Sequence, residues 1–439
     1  MLEAMPFEAV SPASWDQRVF LMLQGPHGPF FHQLGKSLRA AGATVWRIGF
    51  NNGDQVFWPD RDSFIAFQGA PEDWPAFYGH VLAEQNVTDI VLYGDTRPVH
   101  AQAVAIARRL GLTVHVFEEG YLRPHWVTYE RNGTNGNSRL MSLDVPEMRA
   151  AVNDLELEMP AAPARWGDMR EHVFYGALYH FCVMAGGRRF RNFRPHRSIP
   201  IAQEFSLYLR RLLAMPIHAL ERFRESRAIQ RGGFPYHLCL LQLEHDSSFR
   251  MHSPFSTMTE FVELCISGFA QGAPRHHHLV FKAHPLEDGR VPLKSEIRRL
   301  AQEYGVADRV HFVRGGKLAM LLNLTRSVIT VNSTAAQQAL WRGLPLRAFG
   351  KAVYDKPEFV STQPLPEFFA HPTRPDTRAY HDYRHYLLET SQVTGGFYSV
   401  RGRRTLLRQV VDMMLAPQDP YDALQSGNAA PRQQLLLAS

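Results

Sequence analysis

Short apolar runs that stop at glycine- or proline-bearing loops and lead into helical patterns recur along this chain, and that alternation decides its fold class. Arg18-Val-Phe-Leu-Met-Leu23 ends at Gln24-Gly-Pro-His-Gly28; a helical pattern runs from Phe31 to Ala41, Gly42 closes it, and Thr44-Val-Trp-Arg-Ile48 is extended again. The same order returns with Asp89-Ile-Val-Leu-Tyr93, a Gly94–Pro98 loop, a helix over Val99–Leu110 stopped by Gly111, and Thr113–Phe117. Strands alternating with helices predict a parallel, doubly wound α/β sheet whose ligands sit at the carboxyl ends of strands. The loops after Leu23, Tyr93 and Phe117 are therefore where chemistry is expected.

The alternation resumes in the second half. Strands are expected over Tyr236–Gln242, Leu279–Ala283, Val310–Val313 and Ser327–Val331. Helices are expected over Phe255–Ala270 and Leu293–Tyr304, from Thr334 to about Arg342, and over Arg403–Leu415. A chain of 439 residues, 45% hydrophobic and 21% charged, is ordinary globular material but too long for one core. Two Rossmann-like domains are expected, residues 1–159 and 234–400, with a helix and tail over 401–439. Between them, residues 160–233 hold 13 arginines, no lysine and five acidic residues, interleaved with aromatics. Helical periods show in Glu171–Ala185 and Glu204–Arg227. This stretch reads either as helices with solvated arginines packed between domains, or as a basic amphipathic surface suited to anionic lipid headgroups.

Other classes fall away. Three widely spaced cysteines, Cys182, Cys239 and Cys265, give neither a disulfide framework nor a thiolate zinc site and point to a reducing compartment. The first twenty residues lack a basic segment followed by a long apolar one, and no apolar run reaches roughly eighteen residues. A cytoplasmic protein that meets membranes only from the surface is expected. A net charge of +6 is too mild to imply nucleic acid.

Four loops concentrate reactive side chains. In Val331-Asn-Ser-Thr-Ala335, Ser333 and Thr334 stand where a helix begins, which serves either simple capping or an anion held at the helix N-terminus. Phe281-Lys-Ala-His-Pro285 delivers Lys282 and His284 from one strand end, a cation and an imidazole that together suit a phosphate leaving group, or else a strand-end histidine satisfied by backbone. Gln242-Leu-Glu-His-Asp246 places a carboxylate beyond a strand, as nucleophile, base or cap. Phe117-Glu-Glu-Gly-Tyr-Leu-Arg-Pro124 crowds Glu118, Glu119, Tyr121 and Arg123 at one strand exit. The loop with Gln24, Gly25, His27 and Gly28 is glycine-rich but matches neither G-x-G-x-x-G nor a P-loop. Asp60-Arg-Asp62, His276-His-His278 and the His381/His385 pair are too weak to define a metal site.

In order, Gln24-Gly-Pro-x-Gly28, Glu118-Glu-Gly-Tyr-Leu-Arg-Pro124, Gln242…Asp246-Ser, Lys282-x-His-Pro285, Val331-Asn-Ser-Thr334 and Gly395-Gly-Phe-Tyr398 resemble the KpsS/LipB family of capsular polysaccharide proteins, over about residues 18 to 400. The resemblance implies a GT-B-like fold of two Rossmann-like domains facing a central cleft, with an Arg-rich helical insert. It implies a retaining β-Kdo glycosyltransferase that takes Kdo from CMP-Kdo to (lyso)phosphatidylglycerol at the cytoplasmic face of the inner membrane. No metal or other cofactor is expected, because a CMP-sugar has a single phosphate and needs no Mg²⁺ bridge. A partner Kdo transferase and capsule export components are the implied partners, and nucleic acid is not one.

By position in these motifs, Asp246 is the expected nucleophile, Glu119 the acid/base and His284 the group that helps CMP depart. Lys282, Ser333, Thr334, Asn332 and Gln242 are expected at the donor, with Gln24, Gly25, His27, Gly28, Glu118, Tyr121 and Arg123 elsewhere in the cleft. Ala336 stands where the family pattern leads one to expect a nearby glycine. A transferase using another nucleotide sugar, and a non-catalytic component recruiting lipid-linked glycan to export, are the competing readings.

Overall fold

The computed structural model describes residues 18–155, 169–185, 188–190, 192, 217–285, 287 and 289–428. The chain divides into two compact units, one of residues 1–139, 151–196 and 385–439, the other of 140–150 and 197–384.

The first unit begins with β1 (Val19–Met22), β2 (Thr44–Gly49), β3 (Phe64–Ala66), β4 (Asp89–Tyr93), β5 (Thr113–Glu119) and β6 (Trp126–Arg131). The second contains β7 (Tyr236–Leu240), β8 (His278–Lys282), β9 (Val310–Val313), β10 (Thr325–Thr330) and β11 (Leu346–Ala348). β12 (Gln392–Thr394) then returns to the first sheet, whose order is β12-β6-β5-β4-β1-β2-β3. The second sheet runs β11-β10-β7-β8-β9 and is parallel throughout.

The all-parallel expectation fails at one edge of the first sheet, where β5–β6 and β6–β12 are antiparallel. Only residues 120–125 link β5 to β6, and a parallel crossover takes about a dozen residues or more. The 234–400 domain is also corrected at its end. The division falls at His385, inside the helix Thr377–Thr390, and β12 with the helix Val400–Leu415 completes the first unit by burying Leu406, Val410 and Met414 in its core.

Helix boundaries follow side-chain period. Phe30–Ala40 buries Phe30, Phe31, Leu34, Gly35 and Leu38, one face of a 3.6-residue repeat. Gly35 belongs to that face because a Cβ there would lie 2.8 Å from the Trp58 ring. In the second unit, Met258–Gly272 and Leu293–Glu303 cover one side of the sheet through Phe261, Cys265, Phe269, Ile297 and Leu300. The helix expected from Thr334 to Arg342 is only a 3₁₀ turn, Thr334–Ala336, followed by Gln337–Leu340. Within the arginine-rich stretch, Met169–Met184 and residues 217–231 are helical, and the rest of the expected Glu204–Arg227 helix lies outside the described residues. Among the described residues no helix is long and apolar enough to cross a membrane.

Two polar knots sit inside these cores. Asp89 accepts from Arg18 Nε (3.0 Å), Thr88 Oγ1 (2.6 Å) and His115 Nε2 (2.8 Å), while His115 Nδ1 meets the Tyr129 hydroxyl at 2.8 Å. Burial holds His115 neutral, and its donated proton with the Arg18 guanidinium keeps the Asp89 carboxylate ionised. In β7, His237 bonds Ser327 Oγ (2.7 Å) and His277 Nδ1 (3.1 Å), and burial pushes its pKa down to about 3. Unfolded, such a histidine takes up a proton near pH 6.5, while the folded chain resists until about 3. Stability is therefore full above pH 6.5 and falls as pH drops, with a slope of about 1.4 kcal/mol per pH unit from this group. Urea midpoints measured at about pH 7.5 and about pH 5 should fall at the lower pH, and His237→Gln should flatten that dependence.

Candidate functional site

Register sets which loops meet. In the second sheet Leu240 pairs with Lys282 on one side and Thr330 on the other, so the exits of β10, β7 and β8 emerge side by side. Gln242 and Asn332 each lie two residues past that row. Gln242 Nε2 donates to Asn332 Oδ1 (2.7 Å), and the Asn332 backbone N–H donates to Gln242 Oε1 (2.9 Å). Asn332 Nδ2 then donates to the Ser248 carbonyl (3.1 Å) and ties in the short helix that follows β7. Both amides are buried, so this pair is a fixed strut between strand ends.

Lys282, the last residue of β8, is 6% exposed, and its Nζ donates to the Ala283 carbonyl at 3.4 Å. Desolvation alone lowers its pKa to about 8, which leaves it a buried cation at neutral pH. Among the described residues no carboxylate offsets that loss of hydration. His284 follows two residues later and is half-buried. Asp246 is exposed and caps the six-residue helix Ser247–His252 by accepting from the Ser248 N–H at 3.4 Å. Ser333 caps the 3₁₀ turn through the Ala335 N–H (3.3 Å), and its carbonyl accepts from the Tyr354 hydroxyl at 2.7 Å. Of the two readings of this loop, capping is the one the structure displays, because so short a helix has little dipole to hold an anion.

The first sheet has its own row. Tyr93 N–H donates to the Gln24 carbonyl (3.1 Å) and Gly94 N–H to the Phe117 carbonyl (2.9 Å), so the exits of β1, β4 and β5 are level. The Tyr93 hydroxyl donates to Glu119 Oε1 at 3.3 Å. Tyr398 lies near Tyr93, and its ring carries the His172 ring flat against it at 3.9 Å with 4° between planes. Burial, reinforced by nearby Glu119, holds both phenols well above their ordinary pKa. Glu118 Oε1 accepts from the Glu119 N–H (3.1 Å), and Gly94, at φ +70°, leaves room for that carboxylate: a Cβ there would stand 3.1 Å from Glu118 Oε2. Glu118 and Glu119 thus sit at the end of β5, joined by two tyrosines and a histidine that the sequence reading left without roles. Tyr93 ends a strand and Tyr398 ends the Gly395–Tyr398 motif, and those positions were the available signal.

Other residues expected in the cleft make contacts within the first unit. Gln24 is buried and donates to Asp54 Oδ2 (3.2 Å) and the Tyr179 hydroxyl (3.3 Å), in a knot completed by Asn51 Nδ2 to Tyr179 (2.8 Å). His27 stacks on Tyr179 at 4.4 Å. A Cβ on Gly25 would lie 2.7 Å from Phe31, and one on Gly28, at φ +113°, 3.1 Å from Tyr175. Both glycines leave room for aromatic rings of the protein itself. Tyr121 is fully buried, donating to Glu130 (2.7 Å) and accepting from the Asn135 N–H (2.6 Å). Arg123 is exposed and donates to the Gly120 carbonyl at 3.1 Å.

Residues 88–398 match the family of capsule polysaccharide biosynthesis proteins, and the chain belongs to that family. The match takes in both glutamates and every second-unit motif but begins beyond the Gln24–Gly28 loop. The chain is 29% identical over 382 residues to the capsule polysaccharide modification protein LipB of Neisseria meningitidis serogroup B, covering 86% of this chain and 91% of LipB. It is also 29% identical over 385 residues to the capsule polysaccharide export protein KpsS of Escherichia coli, covering 86% and 96%. Among solved structures, Thermosulfurimonas dismutans KpsC, a beta Kdo 2,7 transferase, aligns with a TM-score of 0.42 and 11% identity over 90% of this chain and all of that one.

Two measurements check this geometry. Removing one half of the buried amide strut in Gln242→Ala strands the Asn332 N–H and should cost about 1–3 kcal/mol in urea unfolding. A lysine resonance in ¹³C-methylated protein should titrate with a midpoint near 8 and vanish in Lys282→Met.

Proposed function

We propose that this family member is a glycosyltransferase that moves Kdo from CMP-Kdo to (lyso)phosphatidylglycerol with retention, starting the linker on which capsule is built. The observation that carries the reading is the buried, singly charged Lys282, set beside His284 and the Gln242–Asn332 strut at the exits of three adjacent strands. A sugar activated by one phosphate and bearing a carboxylate needs such a cation, and burial strengthens its pull on an anion. No metal bridge enters the reading.

In this mechanism an Asp246 carboxylate oxygen bonds to the anomeric carbon as the bond from that carbon to the phosphate oxygen breaks. CMP leaves with the electron pair, neutralised by Lys282 and hydrogen-bonded by His284. Glu119 then takes the proton from the acceptor hydroxyl, whose oxygen displaces the Asp246 carboxylate; two inversions restore the starting configuration. Glu119 belongs to the first unit and the donor residues to the second. The reading also places the protein on the cytoplasmic face of the inner membrane, where its acceptor resides.

Purified protein supplied with CMP-Kdo generated in situ and a fluorescent lysophosphatidylglycerol should yield a product one Kdo heavier. Asp246→Ala should lower that rate on the order of 10³-fold or more, and Glu119→Gln by about 10²–10⁴-fold. Asp246→Ala also removes a helix cap worth about 1 kcal/mol, so melting temperatures accompany the rates. Full activity in Asp246→Ala would remove the assigned nucleophile. Product only with a UDP-sugar would replace the donor. No product with any nucleotide sugar, from folded protein that still binds lipid, would leave a recruiting role.

A further inference from the structure

The helix Met169–Met184 has two unlike faces. One is clamped to the first unit: the Tyr179 hydroxyl donates to Asp54 Oδ1 (3.3 Å), Tyr175 packs on Gly28, and His172 lies on Tyr398. The other carries Val173, Phe174, Ala177, Phe181 and Met184, successive one to four residues apart and therefore one stripe. Val173, Phe174 and Phe181 are 60% or more exposed and Met184 is 43% exposed. From His172 to Ala185 the sequence contains no Asp, Glu, Lys or Arg. A helix with no charged face belongs against something apolar.

We propose that this stripe seats in the interfacial layer of an anionic phospholipid bilayer. Charge chooses that occupant: residues 188–197, just past the helix, hold five arginines and no acid, which suits anionic headgroups and opposes a second copy of the same segment. Length agrees, since 16 residues make about 24 Å of helix, too short for the roughly 30 Å hydrocarbon core and ample for lying along its surface. Continuity adds the purpose. The inner face of the same helix supplies His172 to the Tyr398–Tyr93–Glu119 cluster, so lipid on the outer face lies about one helix diameter, roughly 10 Å, from the proposed acid/base. The purpose rests on the lipid-acceptor reading above; the binding itself does not. Elsewhere in the arginine-rich stretch, the helix over 217–231 likewise exposes Ile217, Leu220 and Phe223 beside Arg222, Arg224 and Arg227.

The test is cosedimentation of the full chain with vesicles of phosphatidylglycerol in phosphatidylethanolamine, and with phosphatidylcholine alone. Wild type should bind the first and release as salt rises. The double variant Phe174→Ser/Phe181→Ser should bind about tenfold or more weakly at an unchanged melting temperature, because both rings are exposed. Arg188→Gln/Arg189→Gln/Arg191→Gln should lose the preference for phosphatidylglycerol. Wild-type binding to neither vesicle, or equal binding by the double-Phe variant, overturns the proposal. So does a wild-type dimer that this variant converts to monomer, which would make a second copy the cover. A lowered melting temperature with binding unchanged would make the chain its own cover, and also overturns it. Vesicle binding with no Kdo transfer defeats the reaction instead, whereas transfer to a short-chain, freely soluble lysophosphatidylglycerol without vesicle binding defeats only the membrane contact.

Discussion

The central parallel strands are buried on both faces, so a polar side chain can leave the sheet only where a strand ends. Ile90, Val91 and Leu92 in β4 and Leu238 and Cys239 in β7 are wholly buried. The polar residues that remain inside are locked in pairs, as Asp89 is with His115 and His237 with Ser327. What can act on a ligand is thereby confined to two short rows of strand exits. Lys282 shows the effect at its sharpest: as the last residue of β8 it is enclosed enough to lose hydration yet still at the border where an anion can approach.

The same constraint explains what the sequence reading found. Helices with one clean apolar face, such as Phe30–Ala40 and Leu293–Glu303, and strands with an apolar centre, such as Asp89–Tyr93, sit within a residue or two of their expected bounds. β6 was missed because Thr128 and Glu130 are polar yet buried, satisfied by Gln392 and Tyr421 from distant parts of the chain and by Ser138 from the next turn. Such partners leave no local periodicity. β12 was missed for a related reason, since its burial depends on pairing with β6, and Thr377–Thr390 because Tyr380 and Tyr383 are covered by Gln337 and Phe359 from earlier in the chain.

At the strand exits, residue type alone does not say which way a side chain turns. Glu118, Glu119, Lys282, Gln242 and Asn332 all stand at the exits where they were sought. Gln24 and Tyr121 look equally available in sequence, but one is consumed by Asp54 and Tyr179 and the other by Glu130. The helix Met169–Met184 was read as part of a basic insert. The arginines around it drew attention to charge, whereas its phenols fasten it to the first unit and its uncharged flank sets it apart from the surrounding sequence.

The return of the chain at His385 governs the order in which the molecule can be completed. β12, which edges the first sheet, and the helix Val400–Leu415, which fills its core, are synthesised only after the whole of the second sheet. During translation the first unit therefore waits, with Phe30, Phe117 and Val127 lacking the Phe397 and Leu406 side chains that share their core, while the second unit can close. A nascent chain halted before residue 385 would hold one finished half and one open half, which makes the unfinished sheet the natural client of a chaperone.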